Sequence, residues 1–356
     1  MDDKDYRVST LISNSQKAEE SSKEGDAGTV VYNGTGKSIS AALKEIDTQI
    51  PKKLYFNHLA VVVISEEIAK NKLDEITDYF FRSPESTKRF YLIMTKDEKA
   101  ENVIKILTPL ETFPSQNIKL NIENTNENTA ISVSMTYSKF VEEYLKKGAD
   151  PYLPTISING NPKKGSENKN LESSDLSASL ELKSLALFKD TKLVGYAGDD
   201  ESRGINIVNG IINEMIVTTK CNDEEVIMAL SNLKSKKSVK FINGRPTIYV
   251  NINTIAAIQE VTCKIDLKDT KELEKLEKNT EEKIKKLALD GIKRAQKLKS
   301  DIFEFGNIIY KNNPKYFKSI KNWNDSFKDL DIKVKVDVKL ETKGAIRQSI
   351  KEAKYE

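Results

Sequence analysis

The chain has 356 residues, of which 57 are Lys or Arg and 54 are Asp or Glu, so its net charge is only +3. This length favours two or three domains, because single domains typically hold about 100–200 residues. The balanced charge gives no electrostatic case for nucleic-acid binding. No apolar run approaches the roughly 20 residues that cross a bilayer, so the chain as given is predicted to be soluble.

The chain contains only two cysteines and one histidine, which limits Cys- or His-based metal sites and catalytic triads. Cys221 and Cys263 have neither the number expected of a disulfide framework nor the spacing of a metal site, and they are interpreted as small buried hydrophobic residues. The one histidine, His58, precedes the apolar run 59–64 and is predicted to be structural, at the entry to a buried strand. The sequence therefore predicts no metal, no cofactor and no catalytic site.

The first predicted domain, residues 1–110, has a mixed α/β pattern. Its predicted elements are strands at 6–13, 29–32, 59–64 and 90–95, a loop at 14–26, and helices that begin after Ser38 and Ser65. The run from Gly34 to Ser38 superficially resembles a phosphate-binding loop, but Val31 occupies the position of the required first glycine. Ser38 is more simply a helix N-cap. Glu66 and Glu67 are adjacent on a helix, so their carboxylates point about 100° apart and do not form a catalytic pair.

A small middle domain is predicted at 111–178. Residues 121–129 have the composition of a loop, and 138–147 that of a short helix closed by Gly148. A strand is predicted at 155–159. The stretch 160–174 has no apolar anchors and is interpreted as a flexible linker.

Residues 179–356 are predicted to form an α+β domain. Asn243-Gly244 is typical of a two-residue turn joining two strands. Apolar residues at steps of three and four predict one long amphipathic helix at about 270–300. Alternation from Ile332 to Leu340 predicts a strand with one buried face. The absence of regular βαβ alternation favours an antiparallel or mixed sheet packed with that helix.

The order of these landmarks resembles the C subunit of bacterial spore germinant receptors, the Ger(x)C lipoprotein family that includes GerAC-, GerBC- and GerKC-like proteins. The Lys- and Asn-rich composition is similar to that of clostridial members. The matching positions are Gly34, Gly36, His58, Glu66, Glu67, Arg82, Gly195, Asp301, Phe303, Phe305, Gly306, Trp323, Phe327 and Gly344.

The resemblance implies three consecutive mixed α/β domains and a non-enzymatic receptor subunit. It also implies assembly with an A subunit and a polytopic B subunit on the outer face of the spore inner membrane, where the receptor triggers germination in response to nutrients. Family members have a signal peptide and a lipid-modified cysteine. Neither is present here, so we interpret the chain as a form from which the N-terminal anchor has been removed.

Two other functions remain open at this stage. One is an extracytoplasmic, lipid-anchored solute-binding module, which needs a pocket with convergent polar groups. The other is a hydrolase with paired carboxylates, although no motif selects a pair. Aromatic residues 303, 305, 323 and 327 lie where a helix meets a strand. They are therefore interpreted as core residues, with interface anchors as the alternative.

Overall fold

The computed structural model describes residues 5–13, 28–84, 86–221, 224–263, 265 and 269–341. The predicted loop at 14–26 and the predicted site residue Gly344 lie outside these ranges. Within the described ranges, no helix combines the length and apolar content needed to cross a bilayer.

The chain begins with a two-stranded antiparallel sheet covered by one helix. Its elements are β1 (Tyr6–Ser13), β2 (Thr29–Gly36) and α1 (Ile39–Asp47). The Ser38 side chain accepts a hydrogen bond from the Ala41 N–H, which confirms the predicted N-cap. Ala42, Leu43 and Ile46 form the buried side of α1.

A five-stranded sheet follows in the order β3-β4-β5-β6-β7. The strands are β3 (Val61–Ile64), β4 (Tyr91–Thr95), β5 (Tyr152–Gly160), β6 (Ala178–Lys189) and β7 (Lys192–Ala197). The first three are parallel to one another, and β6 and β7 are antiparallel to their neighbours. This sheet takes strands from all three predicted segments, and the boundaries at 110 and 178 stay predictions.

Short helices surround this sheet. They are α2 (Glu66–Asn71), α3 (Leu73–Arg82), α4 (Ala100–Lys105), α5 (Pro114–Asn128), α6 (Tyr137–Leu145), α7 (Pro162–Gly165) and α8 (Lys169–Glu172). Two predictions are wrong here. The predicted loop at 121–129 is mostly helix α5, because Ile118 and Ile122 give that polar helix a buried side. The predicted linker at 160–174 contains α7 and α8, and Asn170 within it is fully buried.

The second large sheet has the order β11-β10-β9-β8. Its strands are β8 (Glu214–Cys221), β9 (Glu224–Ile242), β10 (Arg245–Val261) and β11 (Asp331–Leu340). The sheet is mixed, as predicted, because β10 and β11 are parallel while the other pairs are antiparallel. Asn243 and Gly244 both have positive φ, at 50° and 77°, which confirms the hairpin turn.

Five further helices complete the described fold: α9 (Asp199–Asn209), α10 (Thr270–Leu298), α11 (Phe305–Asn312), α12 (Pro314–Ser319) and α13 (Trp323–Phe327). The long helix α10 confirms the sequence prediction. Its buried stripe, which includes Leu276, Ile284, Leu287 and Ile292, covers one side of the second large sheet and packs against α9.

Cys221 and Cys263 form a disulfide bond, contrary to the interpretation of two separate buried residues. They lie at the end of β8 and just after β10, 42 residues apart in sequence. Pairing of β8 and β10 with the intervening β9 brings these ends together. The presence of two cysteines in the sequence does not indicate how β8, β9 and β10 pair, so sequence reasoning missed the bond.

Candidate functional site

The Asp301 loop is defined here as residues 299–306, which are the connection between α10 and α11 and the first two residues of α11. Lys299 and Glu304 adopt left-handed conformations, with φ of 56° and 62°, so the chain turns sharply at both ends of the connection. Asp301 is fully buried between these turns. The loop thus places a carboxylate in the interior of the protein.

Both carboxylate oxygens of Asp301 accept hydrogen bonds. One oxygen accepts from the backbone N–H groups of Phe303 and Phe305, each at 3.2 Å. The other accepts from the Gly306 N–H at 2.8 Å and from Trp323 Nε1 at 2.9 Å. Asp301 therefore holds the loop in shape and ties it to helix α13.

A second buried carboxylate, Asp150, lies directly beside the loop, and sequence reasoning missed it. Its Oδ1 accepts from the Asp190 N–H at 2.9 Å. Its Oδ2 accepts from the Asp301 N–H at 2.8 Å and from Asn324 Nδ2 at 2.6 Å. The Asp150 N–H in turn donates to the Asp301 carbonyl. One signal was present in the sequence, because Asp150 follows Gly148 and precedes a proline, a combination typical of a tight connection.

Burial raises the pKa of Asp301 to about 7 and that of Asp150 to about 6. Proximity of the two carboxyl groups raises the pKa of Asp301 further, whereas the surrounding N–H donors lower both values. Every carboxylate oxygen already accepts from the protein itself. The arrangement therefore suits a structural junction better than acid–base catalysis.

Aromatic rings pack around the same loop. Phe303, Phe305 and Phe327 are fully buried, and Trp323 is partly buried. The ring centroids of Phe303 and Phe305 are 5.1 Å apart, and those of Phe305 and Phe327 are 6.4 Å apart. The three phenylalanine rings are consequently part of the core in this chain.

Two glycines let the backbone close tightly at this point. Gly148 has φ of +69°, and a Cβ atom there would lie 2.7 Å from the Gly306 Cα. A Cβ atom on Gly306 would lie 2.5 Å from the Gly148 carbonyl oxygen. Neither position has room for a side chain, so the predicted site residue Gly306 is explained by close backbone approach.

A buried polar network lies behind the loop. Lys237 Nζ donates to Asn209 Oδ1 and to the Phe303 carbonyl, both at 3.0 Å. Burial lowers the pKa of Lys237. Glu143 is also buried, and its Oε2 has no hydrogen-bond partner among the described residues. Burial raises the pKa of Glu143 to about 7.

The predicted residues of the N-terminal half lie away from this junction. Gly34 and Gly36 lie on β2 where α1 crosses it, and a Cβ at Gly34 would meet the Ala42 carbonyl oxygen. His58 lies in a turn before β3. Glu66 pairs with Lys70, Glu67 is on the exposed side of α2, and Arg82 pairs with Asp78.

Gly195 lies closer to the junction. It belongs to β7, and a Cβ atom there would meet Leu298 at the end of α10, directly before the Asp301 loop. The structure thus brings together Asp301, Phe303, Phe305, Gly306, Trp323 and Phe327, with Gly195 at the margin.

Surface depressions in the described part of the chain include two that lie along α10. The first, about 310 Å³, is lined by Asp200, Glu201, Asp290, Lys293, Arg294 and Lys297. Its charges are partly paired, since Arg294 Nε lies 3.5 Å from Glu201 Oε2. The second, about 160 Å³, lies beside the disulfide. Among the described residues, no group of three or more His, Cys, Asp or Glu side chains is placed to hold a metal ion.

Two buried carboxylates, Asp150 and Asp301, that accept hydrogen bonds from the protein's own backbone and side chains are typical of the class of structural and interaction proteins. Comparison with known proteins narrows this class. Two family models match the chain, "Spore germination protein N-terminal domain" over residues 1–158 and "Spore germination B3/ GerAC like, C-terminal" over residues 183–344.

Curated relatives and a solved structure agree with this match. The chain is 28% identical to spore germination protein KC of Bacillus subtilis, over 88% of this chain and 77% of the relative. It is 24% identical to spore germination protein GerQC of Bacillus cereus, over 90% of this chain and 84% of the relative. The crystal structure of the GerBC protein matches the fold with a TM-score of 0.57 and 18% identity, over 96% of this chain and 94% of that one.

The chain belongs to the spore germination GerAC-like, or Ger(x)C, family. As a member, it is a subunit of a spore germination receptor and is associated with the spore. Receptor subunits of this family are not known as enzymes. The resemblance noted in the sequence is thereby confirmed.

Proposed function

We propose that this protein is the C subunit of a nutrient germinant receptor, assembled with A and B subunits on the outer face of the spore inner membrane. In this proposal an N-terminal lipid anchor holds it at the membrane. Its contribution is to contact the partner subunits through its folded domains. In this proposal the transporter-like B subunit senses the germinant, and no ligand site is assigned to this chain.

The observation that carries the proposal is the extent of the family match. Separate models match 1–158 and 183–344, and the fold likeness covers 96% of the chain. Within the described residues, the buried polar groups of the Asp301 loop serve internal contacts. A subunit of this kind offers its partners a stable, pre-formed surface, which limits the entropic cost of assembly.

The solute-binding module stays as the alternative. The depression between α9 and α10 offers acids and bases, which is the chemistry that a zwitterionic solute requires. It is open at the surface, however, and Arg294 there already donates to the Tyr196 carbonyl at 2.7 Å. A module that binds a solute by itself would be stabilised by that solute in isolation, because ligand that binds only the native state raises its stability.

Affinity capture of the tagged full-length protein from detergent-solubilised spore membranes tests the proposal. We expect the cognate A and B subunits to be recovered with it, as identified by mass spectrometry. An unrelated tagged lipoprotein from the same membranes is the control. Recovery of the protein alone, while other membrane complexes stay intact, would contradict the proposal. Thermal shifts with amino acids and sugars on the isolated chain would then test the alternative.

A further inference from the structure

Two segments that contain basic residues and no acids lie in hairpin β9–β10 and in the helices after the Asp301 loop. Residues 226–259 contain five Lys or Arg and no Asp or Glu, and residues 305–324 contain four Lys and no Asp or Glu. The overall charge of +3 conceals this local excess. Because the two segments are far apart in sequence, only the fold shows whether they combine.

The fold places these segments together. The ring of Phe241, at the end of β9, lies 5.2 Å from that of Tyr316 on α12. All six residues from Lys240 to Arg245 are exposed, as are Lys315 and Lys318 on α12. We name the combined surface of residues 240–245 and 314–319 the basic tip. It projects at the end of the longest hairpin in the described structure.

The basic tip also exposes apolar side chains. Phe241 is 36% exposed and Ile242 is 45% exposed, and they are adjacent at a projecting turn. Lys240 and Arg245 flank them in sequence. Asp331 is an acid at the same end of the sheet, where it accepts from Thr247 at 2.9 Å. Among the described ion pairs, none uses Lys240, Arg245, Lys315 or Lys318.

We propose that the basic tip docks on an anionic lipid bilayer, with Phe241 and Ile242 entering the interface and the surrounding Lys and Arg side chains contacting acidic headgroups. Apolar residues that enter the interface, combined with basic residues around them, are the pattern of proteins that lie on membranes. An acidic protein surface would also attract these cations, and absence of vesicle binding would favour it. A bilayer accounts for both the cations and the exposed apolar pair.

This contact is distinct from the proposed lipid anchor, and it does not depend on receptor assembly. The contact would fix the orientation of the protein relative to the bilayer, since an anchor at one end of the chain alone leaves the protein free to rotate. A second contact with the bilayer through the C-terminal half would fix which surfaces face the membrane and which face partner subunits.

Co-sedimentation of the full 356-residue chain with vesicles tests the proposal. One vesicle preparation is phosphatidylcholine alone, and the other contains phosphatidylglycerol and phosphatidylcholine in equal parts. We expect binding to the anionic vesicles and not to the neutral ones, weakened at high salt. Each cation near an anionic surface changes the partition coefficient roughly fivefold. The variant K240Q/R245Q/K315Q/K318Q should therefore lose binding by at least about tenfold.

Two further variants separate this surface from general charge. K278Q/K285Q/K286Q/K293Q also removes four positive charges, but from the exposed side of α10, and it should retain binding to within about twofold. F241S/I242S keeps every charge, and it should lose binding by at least about threefold because two apolar side chains no longer enter the interface. It also replaces only exposed residues, so it tests the proposal even where the four-charge variant fails to fold.

Absence of wild-type binding to anionic vesicles would overturn the proposal, as would equal loss in the α10 variant. Wild-type affinity in F241S/I242S would overturn the role of the apolar pair. Each of these results would leave subunit capture unaffected, so failure here is distinguishable from failure of the proposed receptor function.

Discussion

At the scale of single residues, the buried ionisable groups give this protein a stability that depends on pH. Glu143 shows this most simply, because burial raises its pKa to about 7 and its Oε2 has no partner among the described residues. A group whose pKa is raised on folding stabilises the native state below its unfolded value, near 4.5. That contribution is lost as the pH rises through about 7.

Replacement of Glu143 by glutamine removes this loss. The shift of the Glu143 pKa from 4.5 to about 7 corresponds to about 3 kcal/mol at most. We expect E143Q to gain stability over the wild type progressively between pH 4.5 and 7.5, as measured by urea unfolding at several pH values. Glu142→Gln, an exposed neighbour whose charge contributes only a minor part of the rise in the Glu143 pKa, is the control and should change the pH profile much less. A constant difference between E143Q and wild type across this range would contradict the prediction.

At the scale of elements, the packing of α9 against α10 depends on two facing glycines. A Cβ atom on Gly204 would lie 1.9 Å from the Leu287 carbonyl oxygen, and one on Gly291 would lie 2.6 Å from the Ile205 nitrogen. Both clashes involve backbone atoms, which no side-chain rotation relieves. The two helices are therefore closer than any other residue would permit.

We expect Gly204→Ala to lower the free energy of unfolding by about 3 kcal/mol, because the helices must separate to admit the methyl group. Urea unfolding measures this loss. Gly198→Ala at the start of the same helix is the matched control, since its added Cβ would have no neighbour closer than 3.9 Å. Its effect should stay below about 1 kcal/mol. Equal losses in both variants would show that α9 does not depend on close approach to α10.

The same elements show what the sequence could predict. Periodic apolar positions predicted α10 and β11 with nearly the observed bounds, and Gly291 lies on the buried side of that helix. Its partner Gly204 was not predictable, since the contact joins segments 87 residues apart. Helix α5 was missed because its stripe is narrow and its exposed side is rich in asparagine, a turn-forming residue, although Asn121 Nδ2 donates to Asn117 Oδ1 along the helix.

At the candidate site, local sequence pattern indicated only some of the residues that the fold brings together. The motif residues Asp301, Phe303, Phe305, Gly306 and Trp323 were identified together through the family resemblance, which their order and spacing carry. Asp150, Lys237 and Glu143 were not predicted. Each comes from a different element, and nothing in a local pattern shows that a distant polar side chain will be buried against the loop.

At the scale of the whole molecule, the Asp301 loop joins the segments matched by the two family models, since Asp150 belongs to the first and Asp301 to the second. Asp301→Ala leaves three backbone N–H groups and Trp323 Nε1 without their acceptor. Each unsatisfied buried donor costs about 1–3 kcal/mol, so we expect a loss of several kcal/mol in the free energy of unfolding.

Because the loop contacts both segments, we expect the urea midpoint of a single cooperative transition to fall. Trp323 fluorescence and the far-ultraviolet circular dichroism of the whole chain should then change together. Asp325→Ala is the matched control. This acid is near Trp323 in sequence, but its pair with Lys299 is exposed and screened by solvent, so its removal should change stability little. Should D301A separate the two signals into distinct transitions, the segments would be shown to fold independently. The loop would then stabilise only the local packing of α10 and α13. Other contacts would have to hold the two segments in a fixed arrangement for binding to partner subunits.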